Sequence, residues 1–130
     1  MNGGEAPLAD VDVLLVDDDE ETLTLFRDSI EAAGATVRAV TSAPDAVREN
    51  HDRAPDLLVI DLALHGTDGL ELLQTIRATN PDVAAVAVSA YARLDDRTRS
   101  LDAGFQAHVS KPIDPRRFVQ TLVAAVSLRR

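Results

Sequence analysis

The sequence predicts an α/β fold, a parallel five-stranded sheet with helices on both faces. Three observations predict it. Runs such as Leu57-Leu58-Val59-Ile60 and Val83 to Val88 are continuously apolar and too short for helices, as strands buried on both faces are. Segments with helical spacing lie between these runs, several of them opened by capping residues. The alternation makes five strand–helix units, and such units build parallel sheets by right-handed crossovers.

Residues 1–10, with two glycines and a proline, are expected to be a loose, flexible lead-in without a core face. Val11 to Val16 is the first strand, and it stops at Asp17, Asp18 and Asp19. Glu20 and Glu21 open a helix whose N-terminal dipole suits their charge. Leu23, Phe26, Ile30 and Ala33 keep helical spacing, and Gly34 is a C-cap. Thr36 to Val40 is the second strand. Ser42 caps the next helix, with Pro44 in its first turn, and Pro55 ends that stretch after about Arg53. The third strand ends at Asp61.

Asp68 to Thr79 is predicted as the third helix, with Leu70, Leu73 and Ile76 on its core face and Asn80-Pro81-Asp82 as its break. Val83 to Val88 leads to Ser89. Asp95 to Ala103 is a more polar helix closed by Gly104, and Phe105 to Val109 is the fifth strand. Asp114 caps the last helix, Pro115 sits in its first turn, and Phe118, Leu122, Ala125 and Val126 line its inner face. The folded domain is expected to span 11–127, with a short tail at 128–130.

Composition narrows the functional classes. The chain has 130 residues, 45 % hydrophobic and 27 % charged, enough to bury one core. A net charge of −9 argues against sequence-independent nucleic-acid binding, which needs a basic surface to displace counterions. Without cysteine there is no disulfide framework, thiolate metal site or thiol nucleophile. No apolar run approaches a membrane span and no secretory leader is evident, so the expectation is a soluble, cytoplasmic protein without membrane insertion.

In a parallel sheet the strand ends at one edge are neighbours, however distant in sequence. Taken off the C-terminal ends, they are Asp17-Asp18, Asp61, Ser89 and Lys111. This places three acids, a hydroxyl and a cation at one rim, where open α/β sheets bind ligands. Two carboxylates about 4 Å apart repel by roughly 4 kcal/mol at an effective dielectric near 20. A cation must compensate them, or one must take a proton. Oxygen donors without histidine or cysteine select a hard divalent ion, and Mg²⁺ suits few protein oxygens and several waters. Lys111 is the only lysine among thirteen basic residues, and it stands at this rim. Its bond to Pro112, in a tight turn after a strand, is a candidate cis peptide.

The ordered set Asp17-Asp18, Asp61 with Asp68-Gly69, Ser89-Ala90 and Lys111-Pro112 resembles a response-regulator receiver domain of the CheY-like kind, across about residues 11–127. The resemblance implies a doubly wound, flavodoxin-like (βα)5 domain with strand order 2-1-3-4-5. It implies that Asp61 takes a phosphoryl group from a phosphohistidine of a partner histidine kinase or phosphotransfer protein. Asp18, Asp61 and the backbone carbonyl of Ala63 would bind Mg²⁺ directly, and Asp17 through water. Lys111 would pair with a phosphoryl oxygen, Ser89 would hydrogen-bond the phosphoryl group, and His108 would follow it inward as the aromatic switch. Such a domain accepts and loses phosphoryl groups but is not an enzyme for a diffusible substrate.

Several residues depart from the family's pattern. His65 stands four residues after the acceptor, where proline is usual, and is expected to be a solvated loop histidine. His108 stands where tyrosine or phenylalanine is commoner and can ionise near neutral pH. Ala63 and Tyr91 occupy positions that tune dephosphorylation, and a methyl group cannot orient an attacking water. Arg93, Arg97 and Arg99 are expected to form a solvated face.

A competing reading is a haloacid-dehalogenase-like phosphatase, which also uses an aspartate after a strand, Mg²⁺ and a lysine. It wants a second aspartate two residues after the nucleophile, which Asp61-Leu62-Ala63 lacks. A degenerate receiver acting only as a binding module is a third. With no output segment evident after Ser127, the expectation is a stand-alone receiver or one cut from a longer chain. The run Ala103 to His108 followed by Lys111-Pro112 resembles receivers attached to hybrid histidine kinases.

Overall fold

The computed structural model describes residues 6–64, 66, 68–90 and 94–128. Its elements alternate as β1 (Asp12–Val16), α1 (Glu20–Ala32), β2 (Thr36–Val40), α2 (Ala43–Asp52), β3 (Leu57–Asp61), α3 (Gly69–Arg77), β4 (Ala84–Ser89), α4 (Leu94–Asp102), β5 (Ala107–Ser110) and α5 (Pro115–Ser127). The strands form one sheet in the order β2-β1-β3-β4-β5, and every pairing is parallel. The fold is therefore the flavodoxin-like one that the sequence implied. The chain runs outward from β1 to β2, then crosses back past β1 to β3. That reversal opens a crevice beyond the C-terminal ends of β1 and β3.

Side chains alternate across the sheet with a period of two, so each central strand feeds two cores. Val13, Leu15, Leu57, Val59, Val86 and Val88 meet Phe26 and Ile30 of α1 and Phe118 and Leu122 of α5. On the other face Leu14, Val16, Leu58, Ile60, Ala85 and Ala87 meet Ala46 of α2 and Leu72, Leu73 and Ile76 of α3. Burial on both faces is why β3 and β4 are continuously apolar. Caps set the helix starts: Ser42 Oγ accepts from the Asp45 N–H at 3.2 Å, Asp68 Oδ1 from Leu70 at 2.9 Å and Asp114 Oδ1 from Arg116 at 3.0 Å.

Three expectations need correction. The lead-in was expected to have no core face, yet Leu8 is only 1 % exposed and joins the α1–α5 core. Its N–H donates to the Ala33 carbonyl at 2.8 Å. Gly34, at φ +101°, lets the segment lie close, because a Cβ there would stand 2.4 Å from Ala6 Cβ. A lone apolar residue has no period for a sequence pattern to detect.

The fifth strand begins at Ala107, not Phe105. Phe105 is buried in the α2–α3 core, and its N–H closes the turn after α4 by donating to the Ser100 carbonyl. Gln106 extends the edge with its side chain, whose Oε1 accepts from the Ala85 N–H at 2.7 Å. In α3 the buried leucines are Leu72 and Leu73, while Leu70 is half-buried. Leu70, in the first turn, packs against the edge of that core and also lines the crevice.

Arg77 ties down the opposite edge, donating to the carbonyls of Gly104 (2.6 Å) and Val83 (2.8 Å) and to Gln106 Oε1 (3.2 Å). Burial lowers its pKa from the ordinary value. Among the described residues no helix is long and apolar enough to cross a membrane.

Candidate functional site

Four segments converge at the C-terminal edge of the sheet. Asp17 and Asp18 follow β1, Asp61 is the last residue of β3 and Ser89 the last of β4, and Lys111 follows β5. The Lys111 N–H donates to the Ser89 carbonyl at 2.8 Å, which fixes where the β5 turn leaves the sheet. The Lys111–Pro112 bond is cis, as its position suggested.

Asp17 and Asp61 are 1 % and 6 % exposed, so both carboxylates have lost most of their water. Each is held in the same way. Asp17 Oδ1 accepts from the Asp19 N–H at 2.9 Å, and Oδ2 from Lys111 Nζ at 3.1 Å. Asp61 Oδ1 accepts from the Ala63 N–H at 2.9 Å, and Oδ2 from Lys111 Nζ at 3.3 Å. Backbone amides thus fix one oxygen of each acid, and one ammonium bridges the other two. Asp18 is half-exposed beside them, and the three aspartates each offer an oxygen within 4.8 Å of the others.

Electrostatics follow from this packing. Burial, and then repulsion from Asp61, raises the Asp17 pKa above 3.8, although the Asp19 amide and Lys111 work against it. Burial alone would lower the Lys111 pKa. The hydrogen bond to Asp17 and the charges of both acids outweigh it, and the ammonium is held above 10.5. Its Nζ also stands 5.9 Å from the centre of the Phe26 ring, which packs on Phe118 at 4.9 Å. Three acids face one cation, leaving net negative charge. The donors are all oxygen, which fits a hard divalent ion such as Mg²⁺ and not a thiolate- or imidazole-bound metal.

Beside the acids a cleft of about 320 Å³ is lined by Leu62, Ala63, Asp68, Leu70, Ser89 and Arg99, among others. Ser89 is buried, and its Oγ lies 2.8 Å from His108 Nε2. The structure therefore brings together Asp17, Asp18, Asp61 and Lys111, and joins Ser89 to His108. Ala63 is exposed and reaches the acids through its backbone N–H. Arg97 and Arg99 are exposed, as expected, but Arg99 also walls the cleft. Sequence reasoning missed that position and the Phe26 ring under Lys111. Only helical periodicity could have hinted at Phe26, and it signalled core. His65, Tyr91 and Arg93 lie outside the described residues.

A model of the response regulator receiver domain family matches residues 13–123. The chain belongs to that family. Among its relatives is the polar-differentiation response regulator DivK of Brucella ovis, 36 % identical over 115 residues, covering 85 % of this chain and 91 % of DivK. An uncharacterized protein from the sodA1 3′ region of Leptolyngbya boryana is 39 % identical over 110 residues, covering 83 % and 84 %. A CheY-like receiver domain protein from Methanospirillum hungatei superposes with a TM-score of 0.83 at 26 % identity, over 90 % of this chain and 94 % of its own. The receiver domain of NtrX from Brucella abortus gives 0.85 at 26 %, over 89 % and 98 %. Receiver domains work in two-component signalling, where they take phosphoryl groups from kinases or phosphotransfer proteins. The acidic rim of this receiver sits at its topological switch point.

Proposed function

We propose that this receiver is the phosphoacceptor of a two-component or phosphorelay system, and that Asp61 is the nucleophile. The single ammonium of Lys111 bridging buried Asp17 and Asp61, with Asp18 alongside, carries the reading. A carboxylate oxygen of Asp61 attacks the phosphorus of a phosphohistidine on a partner kinase or phosphotransfer protein. The new P–O bond forms as the P–N bond breaks, and the electron pair leaves with the imidazole. Lys111 moves from bridging two acids to pairing with a phosphoryl oxygen.

Asp18, Asp61 and the Ala63 carbonyl would hold Mg²⁺ directly, and Asp17 through water. When bound, the ion neutralises the acids and screens the incoming phosphoryl oxygens from them. Ser89, at the end of the neighbouring strand, donates its hydroxyl to the phosphoryl group. His108, already bonded to Ser89, carries the change toward β5 and α5. Ala63 offers a methyl group beside the acceptor, so no side chain at that position orients a hydrolytic water. The run Ala103 to His108 favours a setting like that of receivers in hybrid kinases.

Incubation with phosphoramidate, with and without Mg²⁺, followed by intact mass tests the reading. One added phosphoryl group is expected, lost in Asp61→Asn and lost without Mg²⁺. No adduct in protein shown to bind Mg²⁺ overturns it. Turnover of an aryl phosphate would favour the phosphatase reading instead.

A further inference from the structure

Ser89 Oγ and His108 Nε2 are 2.8 Å apart, within hydrogen-bond distance. A serine hydroxyl has one proton to give and two lone pairs to fill. Before phosphorylation either partner can donate. A phosphoryl group on Asp61 presents acceptor oxygens, so Ser89 bonds it only by giving its single proton away. His108 Nε2 must then be the donor to Ser89. The imidazolium and the Nε2–H tautomer supply that proton, and the Nδ1–H tautomer sets lone pair against lone pair.

We propose that His108 is a positioning residue, acting through Ser89 to aim the hydroxyl proton at the phosphoryl group, and that phosphoryl capture is accompanied by proton uptake on its imidazole. This rests on the reading of Asp61 as phosphoacceptor. A phenylalanine at this position could fill the same space but could not take part in the hydrogen-bond chain.

The charged surroundings favour this direction. On the site side the charge of Lys111 is already offset by Asp17 and Asp61. Asp114 and Arg117 line the groove on the α5 side together with His108, one charge of each sign. Among the described residues of α4, Arg99 walls the cleft that Ser89 also lines, and Arg97 and Asp102 are exposed. His108 pairs in register with uncharged Ala87 of β4. A new phosphoryl anion on Asp61 adds negative charge beside the Ser89–His108 pair, and a nearby anion raises an imidazole pKa. A group raised in the phosphorylated state stabilises that state below its unphosphorylated pKa. The stabilisation is lost as pH rises through the phosphorylated one.

The test uses the full chain with Mg²⁺ and beryllium fluoride as a phosphoryl stand-in. Imidazole nitrogen shifts of wild type, followed by NMR against pH, should show Nε2 protonated in the adduct and a pKa at least about half a unit higher than without it. Adduct affinity of wild type should fall relative to His108→Phe as pH rises through neutrality. His108→Gln, with an amide N–H that does not titrate, should regain affinity without the pH dependence. In Ser89→Ala, adding His108→Phe should cost less than it does when Ser89 is present.

An imidazole that titrates identically with and without the adduct overturns the proposal, and so does a His108→Phe cost that is undiminished without Ser89. An adduct of equal affinity in every variant overturns this inference alone. No adduct in wild type would take down the reading of Asp61 as well.

Discussion

Lys111→Met removes the charge that the acids share while keeping an unbranched side chain over Phe26. Lys111 Nζ stands 3.1 Å from Asp17 Oδ2 and 3.3 Å from Asp61 Oδ2. At an effective dielectric near 20, each contact corresponds to about 5 kcal/mol of Coulomb attraction. Desolvation of a side chain that keeps 21 % of its exposure offsets much of this. Breaking a buried pair by removing one partner costs about 3–5 kcal/mol. The acids can recover part by protonating, which leaves an expected loss of about 2–3 kcal/mol near pH 7. For a domain of this size that is a fall in Tm of roughly 8–12 °C.

The pH dependence has a definite sign. Lys111 is held above 10.5, so its contribution is fully present at pH 7 and disappears only as pH rises through that higher value. Asp17 is raised above 3.8, so its ionisation costs stability at pH values above its folded pKa, and that cost vanishes as the pH falls. Losing Lys111 raises Asp17 further, so the gap between variant and wild type should narrow as the pH is lowered from neutrality. Thermal melts in chelator, across pH and then with added Mg²⁺, measure all of this. The variant should gain more from Mg²⁺ than wild type does. A Tm in chelator unchanged from wild type would refute the idea that Lys111 compensates the acid pair.

Leu8→Ala should cost about 2–4 kcal/mol in a denaturant melt, because Leu8 is a fully buried core residue. A loss within error would mean that the segment is not packed in solution. Gly69→Ala places a Cβ 2.9 Å from Leu62 Cα and 3.1 Å from the Asp61 carbonyl oxygen. The backbone after Asp61 must then shift, and Mg²⁺ affinity by titration should fall while the fold, by circular dichroism, persists. Ala63→Asn sets an amide beside the acceptor, so the phosphoryl lifetime should shorten by roughly tenfold, less than a positioned base contributes. An unchanged lifetime would count against a role for this position in hydrolysis.

The strand–helix rhythm was legible because each buried strand is a short apolar run ending on a polar residue. β3 and β4 are the clearest cases, and their ends at Asp61 and Ser89 located the rim before any contact was known. Lys111 stood out as the single lysine. What escaped lacked periodicity. Leu8 is one large apolar residue among alanine and proline, without a repeat, and its bond to Ala33 and the close approach at Gly34 explain its burial. Phe105 carries the composition of a strand, yet a turn after α4 drives it into the core. The pairing of Ser89 with His108 depends on the registration of β4 with β5, which one sequence does not specify. The strand order came from family resemblance, since composition and spacing permit other orders of five parallel strands.

Borohydride trapping probes the phosphoacceptor assignment at the atom concerned. An acyl phosphate on an aspartate is reduced to homoserine, whereas a phosphate ester on Ser89 is not. The receiver is phosphorylated with phosphoramidate and Mg²⁺, reduced and digested, and the peptide carrying residue 61 is sequenced by mass. Homoserine at position 61, dependent on Mg²⁺ and absent when phosphoramidate is omitted, is the expected result. Homoserine at Asp17 or Asp18, or a stable phosphate on Ser89 with position 61 unmodified, would contradict the assignment of Asp61.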